Sequence, residues 1–372
     1  MTTIPTTNPD EDRKKKWLRQ IWHGISIPVV AVFLGLLIGA IILLISGASP
    51  IEAYSALLKG SFGSPAAIQR TLEKTTPLIF SGLAVAFAFK AGLFNIGAQG
   101  QLLIGAIVAA FVGYSIEGLP PLIHIPLALA AGGLAGALYG AIPGILKAYT
   151  GAHEVIVTIM LNYVAYNITN YLVNGPWKDP SPTNVIARTA RILPSAELPI
   201  INHIPLGFII AVLTAALVWW LIYRTTLGFE LRTVGLNSSA AQYAGIRVAR
   251  MIILAMVISG LLAGFGGAVE TLGIVRRYEP GFNVGLGFDG ITVALLGKTS
   301  PFGVIPAALL LGAMRAGSNV MQLEAHVAKE IIDIITAVIL FFVAADVITR
   351  RIIRQRTADD DQVTLSTGWS GK

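Results

Sequence analysis

An all-helical integral membrane protein crossing the bilayer about ten times is the fold that the sequence predicts, and three observations carry it. Charged residues make up 13% of the 372-residue chain and hydrophobic residues 54%, with a mean hydropathy of +0.71. A soluble domain carries about 25% charge because its surface must be wetted, so the shortfall implies a surface that faces lipid. The apolar residues fall in uninterrupted runs, several of them close to the roughly 20 residues that a crossing helix needs. The Lys and Arg behind the net charge of +7 sit at the ends of those runs, a pattern of membrane topology and not of nucleic-acid binding.

The chain opens with a polar, basic segment, residues 1–24, carrying Arg13, Lys14, Lys15, Lys16 and Arg19. The first apolar run, Ile25 to Ser46, is 22 residues without a charge. A cleavable signal has a core of about 7–15 residues, so this run reads as a permanent span. Further runs at 77–89, 92–114, 121–146, 155–174, 204–223, 251–273, 287–297, 301–321 and 330–348 complete a transmembrane region over 25–349, followed by a polar tail, 350–372. The runs at 77–89 and 287–297 are short, and 92–114 opens with Asn95, Gln99 and Gln101. Short or polar-interrupted spans persist only inside protein or beside a wet cavity. With both termini cytoplasmic and ten spans, seventeen Lys and Arg fall inside and nine outside, with Arg315 within a span.

Glycines at 132, 136, 140 and 144, and again at 260 and 264, share helix faces at i+4 and predict close helix packing, as do Gly35 and Gly39. Gly132-Gly-Leu-Ala-Gly136 resembles Gly260-Leu-Leu-Ala-Gly264, and the two runs that hold them are oppositely directed, as an inverted repeat requires.

Polar residues in the runs divide into candidates. Asn95 and Gln99 suit either a translocation path or interhelical amide bonds. Glu154, Thr158 and Asn162 share one helix face, with Asn167 and Asn170 further along. Asp289 and Arg315 are intramembrane charges that stabilise one another or border a polar cavity, while Glu270 and Asp333 read as structural. No Cys is present, and the five His show no ligand spacing, which removes thiolate chemistry and His-cluster metal sites. Gly297-Lys298-Thr299 mimics the end of a P-loop, but position 292 is Thr and a membrane run precedes it, so ATP binding by this chain is rejected. The loop at 175–203 is rich in proline and forms no long regular helix. The loop at 224–250 is basic; Asn237 is placed to cap a short helix, Ser238 to Ala244, that Gly245 ends.

Four stretches, Ala91 to Gln101, Glu154 to Tyr163, Leu231 to Asn237 with Ala240 to Ile246, and Gly287 to Gly297, resemble in order the permeases of bacterial ABC importers for branched-chain amino acids, simple sugars and nucleosides. The Phe94-to-Gln101 and Thr158-to-Tyr163 runs are most similar to the nucleoside permeases. The resemblance implies a second permease, identical or homologous, two cytoplasmic ATPase subunits that use the ATP, an extracytoplasmic binding protein, and a bacterial cytoplasmic membrane as the site of action. It implies a coupling role toward the ATPase for Arg232, Gly235, Asn237, Ala241 and Gly245. Asn95, Gln99, Thr158, Asn162 and Asp289 are the expected path residues, with Phe94 and Tyr163 available to stack on a base. The alternatives are a simple-sugar permease, an ion-coupled secondary transporter using Asp289, and a membrane-embedded enzyme.

Overall fold

The computed structural model of the protein describes residues 29–181, 185–281, 285–328 and 330–344, so the basic segment 1–24 and the tail 350–372 lie outside the described residues. The helices are α1 (Val29–Ile45), α2 (Pro50–Phe62), α3 (Pro65–Lys90), α4 (Ala98–Ser115), α5 (Pro121–Thr150), α6 (Glu154–Asn174), α7 (Leu206–Arg224), α8 (Thr226–Leu236), α9 (Ser238–Tyr243), α10 (Val248–Glu270), α11 (Leu286–Leu296), α12 (Pro301–Ala325) and α13 (Glu330–Ala344). Seven of the described helices, α3, α4, α5, α6, α7, α10 and α12, are long and apolar enough to cross a membrane.

The described parts of the ten expected runs fall mainly on helices, with changes at their ends; residues 25–28 of the first run and 345–348 of the last lie outside the described residues. The run at 77–89 is the second half of the 26-residue α3, whose first turns carry Arg70, Glu73 and Lys74. Hydropathy truncated it because those charges lie toward one end of the bundle. The run at 92–114 divides into a non-helical turn over 92–97 and α4. The run at 287–297 is helical but stays at 11 residues. Helix α2 was not expected, although Ser49 accepts from the Glu52 amide at 3.5 Å and Pro50 opens the first turn, a legible start signal. The proline-rich loop forms a 3-10 turn at Pro194–Ala196 and a two-stranded hairpin, β1 (Ile200–Ile201) and β2 (Ile204–Pro205). Its connecting Asn202 and His203 both have positive φ, as a tight primed turn requires.

Glycine spacing decides the central packing. Helices α5 and α10 form the most extensive pair in the bundle, and they run antiparallel. Gly132 lies on Gly264, Gly136 on Gly260, and Gly140 on Met256, so backbone meets backbone for about two turns. The matched glycine motifs are therefore packing partners and not the equivalent positions of a repeat. The contacts do have a two-fold pattern, with other partners. Exchanging α3 with α10, α4 with α11, α5 with α12 and α6 with α13 turns α5–α10 into α12–α3, α4–α10 into α11–α3, α4–α6 into α11–α13 and α5–α6 into α12–α13, all of them packed pairs. Each exchanged pair runs in opposite directions, the arrangement of an inverted repeat. Outside this core, α1 packs antiparallel on α13, with Gly35 against Ile339 and Gly39 against Ile335.

Leu134 and Leu138 on α5, Leu213, Leu217 and Trp220 on α7, and Ile45 on α1 are exposed. On helices of this hydropathy, such side chains form a lipid-facing surface and not a soluble one.

Candidate functional site

Two helices begin inside the bundle, and their starts define the interior site. Glycine makes both possible. The turn after α3 needs positive φ at Gly92, and α11 starts from Gly285 with φ +85°. The first turn of α4 lies against the first turn of α11: Gly287 sits on the backbone of Ala98 and Gln99. Neither helix has a side-chain cap of its own, and each leaves N–H donors that need acceptors.

Amides from elsewhere supply them. Asn162 on α6 accepts from the Gly100 amide at 2.8 Å and donates to the Ile96 carbonyl at 3.1 Å, acting as a remote cap of α4. Gln99 accepts from the Gly287 amide at 2.7 Å and so caps α11 from α4. Asn95 donates to Gln101 Oε1 and to Ser259 Oγ, both at 2.8 Å, and Ser259 donates to the Ala84 carbonyl at 2.6 Å. These side chains are buried, so the network joins α3, α4 and α10 in the dry interior. Thr158 is fully buried and donates to the Glu154 carbonyl one turn back. Of the stacking candidates, Phe94 is half-buried against Phe89, with ring centroids 5.0 Å apart, whereas Tyr163 is exposed.

Replacing Asn162 with leucine is expected to leave the Gly100 N–H and the Ile96 carbonyl unpaired, at about 1–3 kcal/mol for each orphaned group. Thermal unfolding of the purified permease checks this. A melting temperature equal to the parent's would show that α4 needs no cap from α6.

Asp289, on the first turn of α11, is paired with Arg315 of α12, as the expectation of mutual stabilisation requires. Both side chains keep part of their exposure, 22% and 30%. Breaking the pair by Arg315→Leu should cost about 1–3 kcal/mol, less than the 3–5 of a fully buried pair. The exchange Asp289→Arg with Arg315→Asp should recover most of the loss in melting temperature, whereas no recovery would mean that the two residues act separately. Glu270 is buried at the end of α10, and its Oε2, with the neighbouring Thr271 Oγ1, has no hydrogen-bond partner among the described residues. No group of three or more His, Cys, Asp or Glu that could hold a metal ion is found among the described residues.

The second candidate region is the loop between α7 and α10. Asn237 accepts from the Ala240 amide at 2.9 Å and caps α9, and Gly245 beyond it has φ +83°. That capped helix was legible; α8 before it was not, although Thr225 accepts from the Gly228 amide at 3.1 Å to start it. Arg232 donates from Nε to the Gly228 carbonyl at 3.3 Å and lies 5.3 Å over the Tyr223 ring. Gly235 meets the backbone of Lys90, Ala91 and Gly92 at the end of α3, so it joins the loop to the bundle. Ala241 is fully buried. Besides Phe229 on α8, the large side chains that project are Leu236, 61% exposed, and Tyr243, 95% exposed. Sequence reasoning passed over both, although two large apolar side chains flanking a short capped helix were available as the signal.

At the opposite end, the 175–205 segment is tied down by polar contacts. Ser181 donates to Asp179 from its hydroxyl at 2.8 Å and its amide at 3.1 Å, which holds that carboxyl below its usual range. Glu197 bridges Arg191 at 3.1 Å and Arg276 at 3.2 Å. Burial pushes the Tyr278 phenol up to about 12, so it stays neutral.

Comparison with known proteins bears on most of the chain. Residues 67–344 match the family described as branched-chain amino acid transport system / permease component. The guanosine ABC transporter permease protein NupP of Bacillus subtilis is 47% identical over 328 residues, 86% of this chain and 92% of the relative. The nucleoside ABC transporter permease protein NupB of Lactococcus lactis is 38% identical over 330 residues, 86% of this chain and 90% of the relative. A glucose ABC transporter permease of Haloferax volcanii is 31% identical over 332 residues, 86% of this chain and 87% of the relative. No solved structure matches.

Proposed function

The chain belongs to the branched-chain amino acid transport system / permease component family, and from that premise we propose that it is the permease subunit of an ABC importer that carries nucleosides across the cytoplasmic membrane. The observation that carries the cargo is the 47% identity, over nearly the whole of both chains, to a permease named for guanosine. The opposed starts of α4 and α11 support a path through the protein, because broken helices are tolerated where they line a cavity. In this reading Asn95, Gln99, Thr158 and Asn162 hold the half-helices that border the path, and Asp289, half-buried beside the exposed Phe288, reaches its surface.

The α8–α9 segment is the cytoplasmic face that meets the ATPase. Asn237 and Gly245 shape α9, Gly235 and Ala241 seat it on the bundle, Arg232 braces α8, and Leu236 and Tyr243 project toward the partner. ATP is used by that partner. The Gly297-Lys298-Thr299 segment lacks the first glycine of a phosphate-binding loop, with Thr292 in its place inside α11. A second permease completes the path, and an extracytoplasmic binding protein delivers substrate to the 175–205 end. The excess of Lys and Arg on the α8–α9 side supports cytoplasmic termini.

Uptake of radiolabelled guanosine, uridine and glucose is the test, in cells carrying the assembled transporter with an active or an inactive ATPase subunit. ATPase-dependent guanosine or uridine uptake is expected. ATPase-dependent glucose uptake alone would favour the sugar reading, which the Haloferax relative supports. Uptake indifferent to the ATPase would overturn the importer assignment.

A further inference from the structure

Helix α6 has three faces, and only two of them fit a helix set between protein and lipid. Thr158, Asn162, Thr169 and Val173 are buried, on the side that caps α4. Val164 and Ile168 are exposed and apolar, as lipid requires. The third face carries Tyr163, Asn167, Asn170, Tyr171 and Asn174, spaced i, i+4, i+7, i+8 and i+11 and therefore on one side of the helix; the exposed Ile156 and Met160 continue that side toward the start of α6, Val164 borders it, and Ile168 lies beyond it. Tyr163 is 64% and Tyr171 71% exposed, Asn167 and Asn174 are exposed, and Asn170 is half-buried.

Three carboxamides on one outward face of a crossing helix must meet protein or water, because lipid offers no hydrogen bonds. Within the described residues their contacts are local: Asn167 donates to the Tyr163 carbonyl at 2.8 Å and Asn174 to the Asn170 carbonyl at 2.9 Å. Each amide can form up to four hydrogen bonds, so most of the capacity of the stripe is unused by α6 itself.

Resting on the nucleoside reading above, we infer that this tyrosine–asparagine stripe of α6 lines the water-filled path and forms the surface over which the nucleoside passes. The chemistry of the stripe matches that class of solute. Tyrosine rings stack on a flat base, and carboxamides exchange hydrogen bonds with base edges and ribose hydroxyls. No charged residue lies between Glu154 and Lys178. A phosphorylated substrate would find no cation there, so the stripe selects nucleosides over nucleotides. Asn162, singled out from the sequence, lies on the other side of the same helix and holds it in place.

The native chain has no cysteine, so single-cysteine labelling tests the inference directly. Asn167→Cys, Asn170→Cys and Ile168→Cys are compared in the assembled transporter, using a charged, membrane-impermeant methanethiosulfonate reagent. Modification is expected to be at least tenfold faster at 167 and 170 than at 168. Saturating guanosine should slow it at least fivefold, and guanosine monophosphate should not. In parallel, Tyr171→Leu should raise the KM for guanosine about tenfold with the amount of permease unchanged, and Tyr171→Phe should retain the parental KM. Equal labelling on both faces, or no slowing by guanosine in a transporter that imports it, would overturn the assignment of the stripe. A parent transporter without ATPase-dependent guanosine uptake would instead overturn the nucleoside reading beneath it.

Discussion

Replacing Gly136 with leucine is expected to eliminate most of the folded permease. A Cβ at this position falls on the Gly260 carbonyl and 2.7 Å from the Gly264 Cα. Both obstacles are backbone, so no side-chain rotation relieves them, and α5 and α10 must separate. Their register is shared by Gly132 on Gly264 and Gly140 on Met256, and the disturbance therefore spreads along the largest helix contact in the bundle. Overpacking a core that can adjust its side chains costs about 1–3 kcal/mol; a rigid backbone seam should exceed that range. The measurement is the amount of permease in membranes and its melting temperature in detergent, with Leu134→Ala on the exposed face of α5 as the control. Leu134→Ala should leave both unchanged. Wild-type values for Gly136→Leu would show that the seam is looser than the glycine contacts imply.

A comparable loss of transport, without loss of fold, is expected for Tyr243→Ala. The ring is 95% exposed at the end of α9, a helix whose start is fixed by the Asn237 cap. Removing it takes nothing from the core of the free chain. A large aromatic residue on a rigid support is the type of side chain that dominates interface energetics, at 2 kcal/mol or more. Uptake should fall by about thirtyfold, with less ATPase subunit recovered alongside the permease and an unchanged melting temperature. Leu236→Ala should act in the same direction. Gly235→Val should behave differently, because its side chain would strike the Lys90–Gly92 backbone and lower stability as well as transport. Parental uptake by Tyr243→Ala would remove α9 from the ATPase contact.

The contrast between Gly235 and Tyr243 shows how far the candidate site could be read in advance. The short helix, its Asn237 cap and its glycine exit follow from local chemistry, and the structure has all three. Which residues of that segment face the bundle and which project depends on the end of α3, far away in sequence. The same division holds on α6. Periodicity placed Thr158 and Asn162 on one face, but only the packing of α4 decided that this face is interior. The exposed polar stripe was left by elimination to Tyr163, Asn167 and their neighbours.

By itself the sequence determined the fold class, the ten apolar helices, the close glycine packing and the capped α9, because hydropathy, i+4 spacing and capping act within one segment. It also determined the family, since ordered resemblances extend along the chain. Tertiary structure alone decided that the two glycine motifs pack on each other, that the two-fold pattern pairs α3 with α10, and that buried amides from α6 and α4 cap helices they do not belong to. Those features depend on backbone atoms of distant segments meeting at hydrogen-bond or van der Waals distance, and no local pattern encodes which segments will meet.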